Sequence, residues 1–477
     1  MERLSGLDAS FLYLESSAQL MHICGVVIVD GDTMPGGYSF ENLKAELERR
    51  VSGVPEFTRK LKATPLGIDH PLWVVDHDFD IDRHVHRMGL PAPGGDKELS
   101  ELAGHVAGIA LDRSRPLWEM YVVEGLESGR IAIISKMHHS GIDGVSGSSL
   151  ISYLCTLEPD GPPLPVQTAR LDDRTPGDVE LLARGVVATL GKPIQFARLM
   201  APTAEIVTKS IGRARKGTAM AAPLTAPRTS FNGTITGHRS VAYADMSLEL
   251  IKDIKNAVPG ATVNDVVLAV SGGALRSYLE ERGELPETTL VASVPVSVHG
   301  KSKRSGGSNK VSSMFSKLGT DVADPLERLQ QMSLNNSNAK GHHDAIPADT
   351  LQEWAEFAAP RTFGLAVRVT AGLRLAEKGP VIHNLVISNV PGPPMPLYFM
   401  GARMDALYPL GPVFHGAGLN ITVMSNNGRV HVGVIACREL MPRVWDLANL
   451  FPIELQALHD AAVGRARGAG KAAKRRS

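Results

Sequence analysis

Cysteine is scarce in this chain: three residues in 477, Cys24, Cys155 and Cys437, lie far apart and in apolar surroundings. An odd, scattered set does not make a disulfide framework and reads as reduced core thiols in a reducing cytosol. An excess of one charge is lacking too. Fifty Lys and Arg balance fifty Asp and Glu, which removes the electrostatic case for a dedicated nucleic-acid binder, so no nucleic-acid partner is expected. No apolar run approaches the ~20 residues needed to span a bilayer, and Met1 to Ser5 lacks the basic start and apolar stretch of a secretion signal. The expected location is cytoplasmic, with any membrane contact peripheral. Several catalytic signatures are also missing: there is no Gly-x-Ser-x-Gly elbow, no Walker phosphate loop, no Cys-x-x-Cys pair and no His-Glu-x-x-His, which weakens hydrolase and nucleotide-driven readings.

What is present is an ordinary globular composition, 43% apolar with 5% aromatic residues, in a chain long enough that two domains are expected rather than one. Residues 1–157 mix short β-rich runs (Gly25 to Asp30, Leu72 to Val75, Tyr121 to Glu124, Ile131 to Ser135) with helical stretches at Phe40 to Val51 and Glu98 to Ala110. Residues 158–237 open with a Pro-, Gly-, Asp- and Arg-rich segment and read as a connection containing helices, one of them signalled by Thr175-Pro176-Gly177-Asp178 and expected over Val179 to Leu190. Residues 238–463 return to mixed α/β character. Strands are expected at Ser240 to Ala244, Thr289 to Val294 and Val381 to Ser388, and helices at Ser247 to Val258 and Val263 to Tyr278. Two final strands flank the Asn427-Gly428 hairpin-turn signal. Residues 464–477 hold six Lys or Arg among Gly and Ala and are expected to be disordered.

The chemistry concentrates in His138-His139-Ser140-Gly141-Ile142-Asp143-Gly144, which follows directly on the apolar strand Ile131 to Ser135. Neighbouring residues of an extended segment face opposite ways, so if His139 points into a cavity, His138 points into the protein. Imidazole, with an unperturbed pKa near 6.5, is mostly neutral at cytoplasmic pH, able to take a proton from a hydroxyl and release it to a leaving group. Asp143 could share in that work, but just past a Gly-containing turn it reads better as a carboxylate that locks the loop through an ion pair to an arginine. Two bland alternatives stand beside the catalytic one. Adjacent histidines arise by chance, and His138, His139 and Asp143 are all competent metal ligands, although adjacent histidines on a strand diverge and no further ligand cluster follows.

His138-His139-x-x-x-Asp143-Gly144 resembles the signature of the CoA-dependent acyltransferase superfamily. The surrounding residues narrow the resemblance to the bacterial wax ester synthase/diacylglycerol acyltransferase family. They are Leu4 to Leu12, Met21-His22, Trp73 to Asp80, Pro116-Leu117-Trp118-Glu119, Asn264-Asp265, Gly307 to Ser312 and Ser388 to Pro393. Gly307-Ser308-Asn309 departs from the family's more usual Gly-Asn spacing. The resemblance implies two chloramphenicol acetyltransferase-like α/β lobes with an active-site tunnel between them. It also implies transfer of a long acyl chain from acyl-CoA to diacylglycerol or a fatty alcohol in a ternary complex, with His139 as general base. Acyl-CoA would be a substrate and no cofactor would be needed. By the same resemblance Asp143 would pair with an arginine, for which Arg59 is the candidate. The family motifs also have plainer readings. Pro116, Leu117 and Trp118 either pack or wall an acyl tunnel. Asn264 and Asp265 either belong to a helix cap after Thr262 or aim the helix's positive end at a developing oxyanion or a CoA phosphate. Two other functions fit the same residues: a condensation-type acyltransferase using carrier-bound acyl groups, and a non-catalytic lipid-binding protein. The basic residues after Gly464 either attract anionic lipid, at the inner face of the plasma membrane or on a lipid droplet, or merely solubilise the tail.

Overall fold

The computed structural model describes residues 2–141, 154–162, 174–187, 200, 221, 224–297, 311–343 and 373–474. Sixteen strands appear in it. In the first part of the chain they are β1 (Glu2–Arg3), β2 (His22–Asp30), β3 (Arg59–Lys62), β4 (Leu72–Val75), β5 (Val85–Gly89), β6 (Trp118–Glu124), β7 (Ile131–His138) and β8 (Cys155–Thr156). The later strands are β9 (Arg239–Ser247), β10 (Val291–Ser297), β11 (Val311–Lys317), β12 (Leu385–Pro391), β13 (Tyr398–Phe399), β14 (Ala402–Leu410), β15 (Leu419–Asn426) and β16 (Arg429–Cys437). They make two large sheets, β5-β6-β7-β2-β14-β13-β8 and β11-β10-β12-β15-β16-β9, and a small one, β1-β4-β3.

The β-branched and apolar runs behave as strands buried on both faces. In β7 the residues Ile131, Ile133 and Met137 join one core, while Ala132 and Ile134 join another beneath the helix Asp96–Ala107. In the second large sheet, Leu385, Ile387, Leu419, Ile421 and Val423 face a core shared with the helices Leu248–Ala257, Val263–Glu280 and Leu450–Lys474. The Asn427-Gly428 step turns between β15 and β16 with φ of 42° and 81°, the left-handed pair that a two-residue hairpin needs.

Two features depart from the sequence expectation, while the helix expected over Val179 to Leu190 is present from residue 178. Residues 398–410 fall inside the stretch read as the second lobe, yet β13 and β14 complete the first sheet, β14 lying antiparallel to β2. The two lobes therefore exchange chain. They meet where a Cβ at Gly433 of β16 would stand 1.9 Å from the Pro409 carbonyl oxygen of β14, an approach open only to glycine. The stretch 464–474, expected to be disordered, continues the helix Leu450–Lys474. Alanine, lysine and arginine are strong helix formers, and extending a helix already anchored by packing needs no new nucleus. Among the described residues no helix is long and apolar enough to cross a membrane.

Candidate active site

β7 ends at His138, and the pairing of its neighbours fixes where both histidines go. His22 of β2 stands opposite His138, the Leu117 carbonyl accepts from the His138 amide at 3.0 Å, and the Met21 carbonyl accepts from the His139 amide at 2.8 Å. The alternation of the strand then carries His139 onto the same face as Ile133, Ser135 and Met137, and His138 onto the opposite one.

That first face borders a cavity of about 490 Å³, walled by β2, β7 and β14 of one sheet and by β10, β12 and β15 of the other. His139 lies toward the end marked by Met21, and the register runs from there through Ile23 and Gly25 to Val27, opposite Ile133. The far end is lined by Val390, Phe399, Met404 and Met424. The His139 ring stacks on Phe11, with centroids 4.1 Å apart and planes 22° apart. Burial pushes its pKa down to about 4, because an apolar wall penalises the charged imidazolium. The ring is therefore neutral at pH 7.

His138 is fully enclosed and held by Glu15, a residue that no sequence motif brought forward. The Ser140 amide donates to His138 Nδ1 at 3.1 Å, so the ring proton sits on Nε2, which faces Glu15 Oε2 at 3.4 Å. His22 Nε2 lies 3.2 Å from the other oxygen of Glu15, and Arg113 donates to the same carboxylate. Burial alone would raise the Glu15 pKa, but the His138 and His22 imidazoles beside it and donation from Arg113 hold it well below the usual carboxylate range.

The remaining sequence candidates divide sharply. Asp143, Gly144 and Gly307-Ser308-Asn309 lie outside the described residues. Arg59 is 2% exposed, donates to the Gly141 carbonyl at 3.3 Å and rests over the Trp73 ring at 4.6 Å; Gly141 stands two residues before Asp143 in the chain. Pro116, Leu117 and Trp118 are buried away from the cavity. Leu117 packs with Leu4, Leu12 and Trp73, and Trp118 donates its indole N–H to the Phe57 carbonyl at 2.8 Å and stacks on His84. They pack in the core and are not among the described residues that line this cavity. Asp265 closes a capping box, accepting from the Thr262 amide at 2.9 Å and from Asn336 at 2.7 Å. Asn264 accepts from Asn389 of β12 at 3.3 Å. Leu385 and Ile387 of β12 face this helix, whereas Val386, Ser388 and Val390 face the cavity. The helix start thus lies behind the sheet and does not open onto the cavity.

Residues 4–267 match the model of the wax ester synthase/diacylglycerol acyltransferase catalytic domain, and residues 307–459 match that family's C-terminal domain. The chain belongs to the wax ester synthase/diacylglycerol acyltransferase family. Among its relatives is a Mycobacterium tuberculosis protein named as a diacylglycerol O-acyltransferase, 44% identical over 461 residues and covering 96% of this chain and 90% of the relative. Another, the M. tuberculosis diacylglycerol O-acyltransferase tgs2, is 35% identical over 97% of this chain and 99% of its own. The wax ester synthase/diacylglycerol acyltransferase of Marinobacter aquaeolei VT8 superposes with a TM-score of 0.68 at 29% identity, covering 97% of this chain and all of that one. The first condensation domain of the calcium-dependent antibiotic synthetase superposes with a TM-score of 0.55 at 15% identity, over 97% of this chain and 96% of the domain. That likeness is one of fold alone, and it agrees with the two-lobed α/β architecture that the family resemblance implies.

Proposed function

We propose that this member of the family transfers an acyl group from acyl-CoA to diacylglycerol, giving triacylglycerol and free CoA, and to long-chain alcohols, giving wax esters. The carrying observation is the His139 ring on the wall of a mostly apolar cavity between the two sheets. A neutral imidazole there takes the acceptor's hydroxyl proton as its oxygen attacks the thioester carbonyl; the C–O bond forms, the C–S bond breaks, and the proton passes to the departing thiolate. His138 and Glu15 position the strand end and touch no substrate. Arg59 holds the Gly141 carbonyl and is the proposed partner of Asp143.

Transfer within a ternary complex suits the other groups in the cavity. Burial pushes the Cys24 and Cys155 thiols up to about 12, so neither is a thiolate able to carry an acyl group at neutral pH. No cofactor enters the proposed reaction. The protein is placed in the cytoplasm with peripheral lipid contact, for which the basic residues of 464–477 supply attraction of ~1 kcal/mol each near an anionic surface. Flotation with anionic liposomes should weaken when 464–477 is deleted.

The deciding experiment incubates purified protein with palmitoyl-CoA and, separately, diacylglycerol and hexadecanol, reading thiol release and lipid product. Thiol release coupled to triacylglycerol is expected; no product with either acceptor would end this reading.

A further inference from the structure

The cavity holds a second histidine. His383 precedes β12 and borders the same space as His139, but from the opposite sheet. The strand register brings both toward one end. Val386 of β12 stands opposite Asn420 of β15, and Asn420 donates to the Pro412 carbonyl at 3.0 Å. Pro412 follows the β14 end at Leu410, itself opposite Cys24 of β2, three residues from Met21, whose carbonyl holds the His139 amide.

Both ring nitrogens of His383 are shielded from water, and neither has a hydrogen-bond partner among the described residues. The ring lies beside Phe315 at a centroid distance of 5.9 Å, so packing, not hydrogen bonding, holds it. Such an orphaned polar ring is costly, and a leucine or phenylalanine of similar bulk would fill the same space without the penalty. The neighbouring cavity wall offers the Ser293 hydroxyl, opposite Val386. Burial pushes the His383 pKa down to about 4, so the ring presents one N–H and one lone pair and no charge. A half-turn about Cβ–Cγ exchanges ring carbons for nitrogens, and no hydrogen bond opposes it.

We propose that His383 contacts substrate, its ring N–H donating to an uncharged carbonyl oxygen of a lipid bound beside His139. The inference rests on the acyltransferase reading of this cavity. The carbonyl has two sources: the glyceride ester of diacylglycerol, or the acyl thioester itself.

The test compares wild type, His383→Phe and His383→Gln in the full chain. Turnover is measured with palmitoyl-CoA and either diacylglycerol or hexadecanol, and binding of a fluorescent diacylglycerol and of a non-hydrolysable acyl-CoA analogue is measured by titration. His383→Phe should lower kcat/KM about tenfold, the worth of one hydrogen bond, while its thermal midpoint stays at or above wild type because an unpaired polar ring has gone. His383→Gln, which restores a donor, should recover part of the activity. A loss confined to diacylglycerol assigns the glyceride ester, and a loss with both acceptors assigns the thioester. Unchanged turnover and binding in His383→Phe, or lost activity tracking a lowered melting temperature, overturns the proposal. Should wild type bind both ligands but turn over neither, the acyltransferase reading fails while weakened binding by His383→Phe still supports this one.

Discussion

Glu15 Oε2 and His138 Nε2 lie 3.4 Å apart, and through this contact a residue outside the His-His motif fixes the strand end that presents His139. Replacing the carboxylate by an amide in Glu15→Gln removes the charge that His22, His138 and Arg113 share. The expected cost is about 2 kcal/mol of stability, typical of hydrogen bonds to a charged group, with a lower kcat and little change in KM. Thermal melting and steady-state kinetics check both.

His139→Ala should reduce turnover by about 10²- to 10⁴-fold, the usual contribution of a general base, while circular dichroism and acyl-CoA binding remain those of the wild type. A mutant turning over at a near-normal rate would remove His139 from the mechanism.

Acid should affect rate and stability differently. With the His139 pKa near 4, kcat/KM should stay flat from pH 8 to about 5.5; a base with the unperturbed value of about 6.5 would lose about tenfold over that interval. Stability should decline earlier. Between pH 6.5 and 4 the unfolded chain binds a proton at position 139 that the folded protein excludes, so folding weakens as pH falls through that window. Below about 4.5 Glu15 adds to the loss, because its folded pKa is depressed and its contribution is present only above the unfolded value. Denaturant unfolding at a series of pH values measures the slope.

Trp118→Phe should destabilise the protein by about 1–2 kcal/mol, since the Phe57 carbonyl loses its buried donor. The profile of acyl-chain lengths used should not move, because the indole is no part of the cavity wall. A shifted profile would return Trp118 to the tunnel.

Val27→Phe fills the end of the cavity remote from His139. It should depress turnover of the longest acyl-CoA and acceptor chains relative to short ones, at an overpacking cost of about 1–3 kcal/mol. Equal loss at all chain lengths would mean that the acyl chain does not occupy that end.

Much of this architecture is legible from local pattern. The strand and helix at Leu72–Val75 and Phe40–Val51 fall where periodicity puts them, because burial selects β-branched runs for strands and a 3.6-residue stripe for helices. The capping box at Thr262 and Asp265 is equally visible, being an interaction within four residues. Glu15 was not, since two of its partners, Arg113 and His138, lie 98 and 123 positions away. Nor were β13 and β14 legible as members of the first sheet, because nothing in an apolar run names its neighbour.

Sequence alone determined that two adjacent histidines leave an apolar strand on opposite faces, and motif likeness alone was enough to place the chain among these acyltransferases. Tertiary structure decided which histidine meets a cavity, which side chains hold the other, and that a second imidazole arrives from the opposite sheet. The division is physical. Backbone alternation and capping act over a few bonds and are written locally, whereas a cavity exists only once two sheets, far apart in the chain, have packed without filling the space between them.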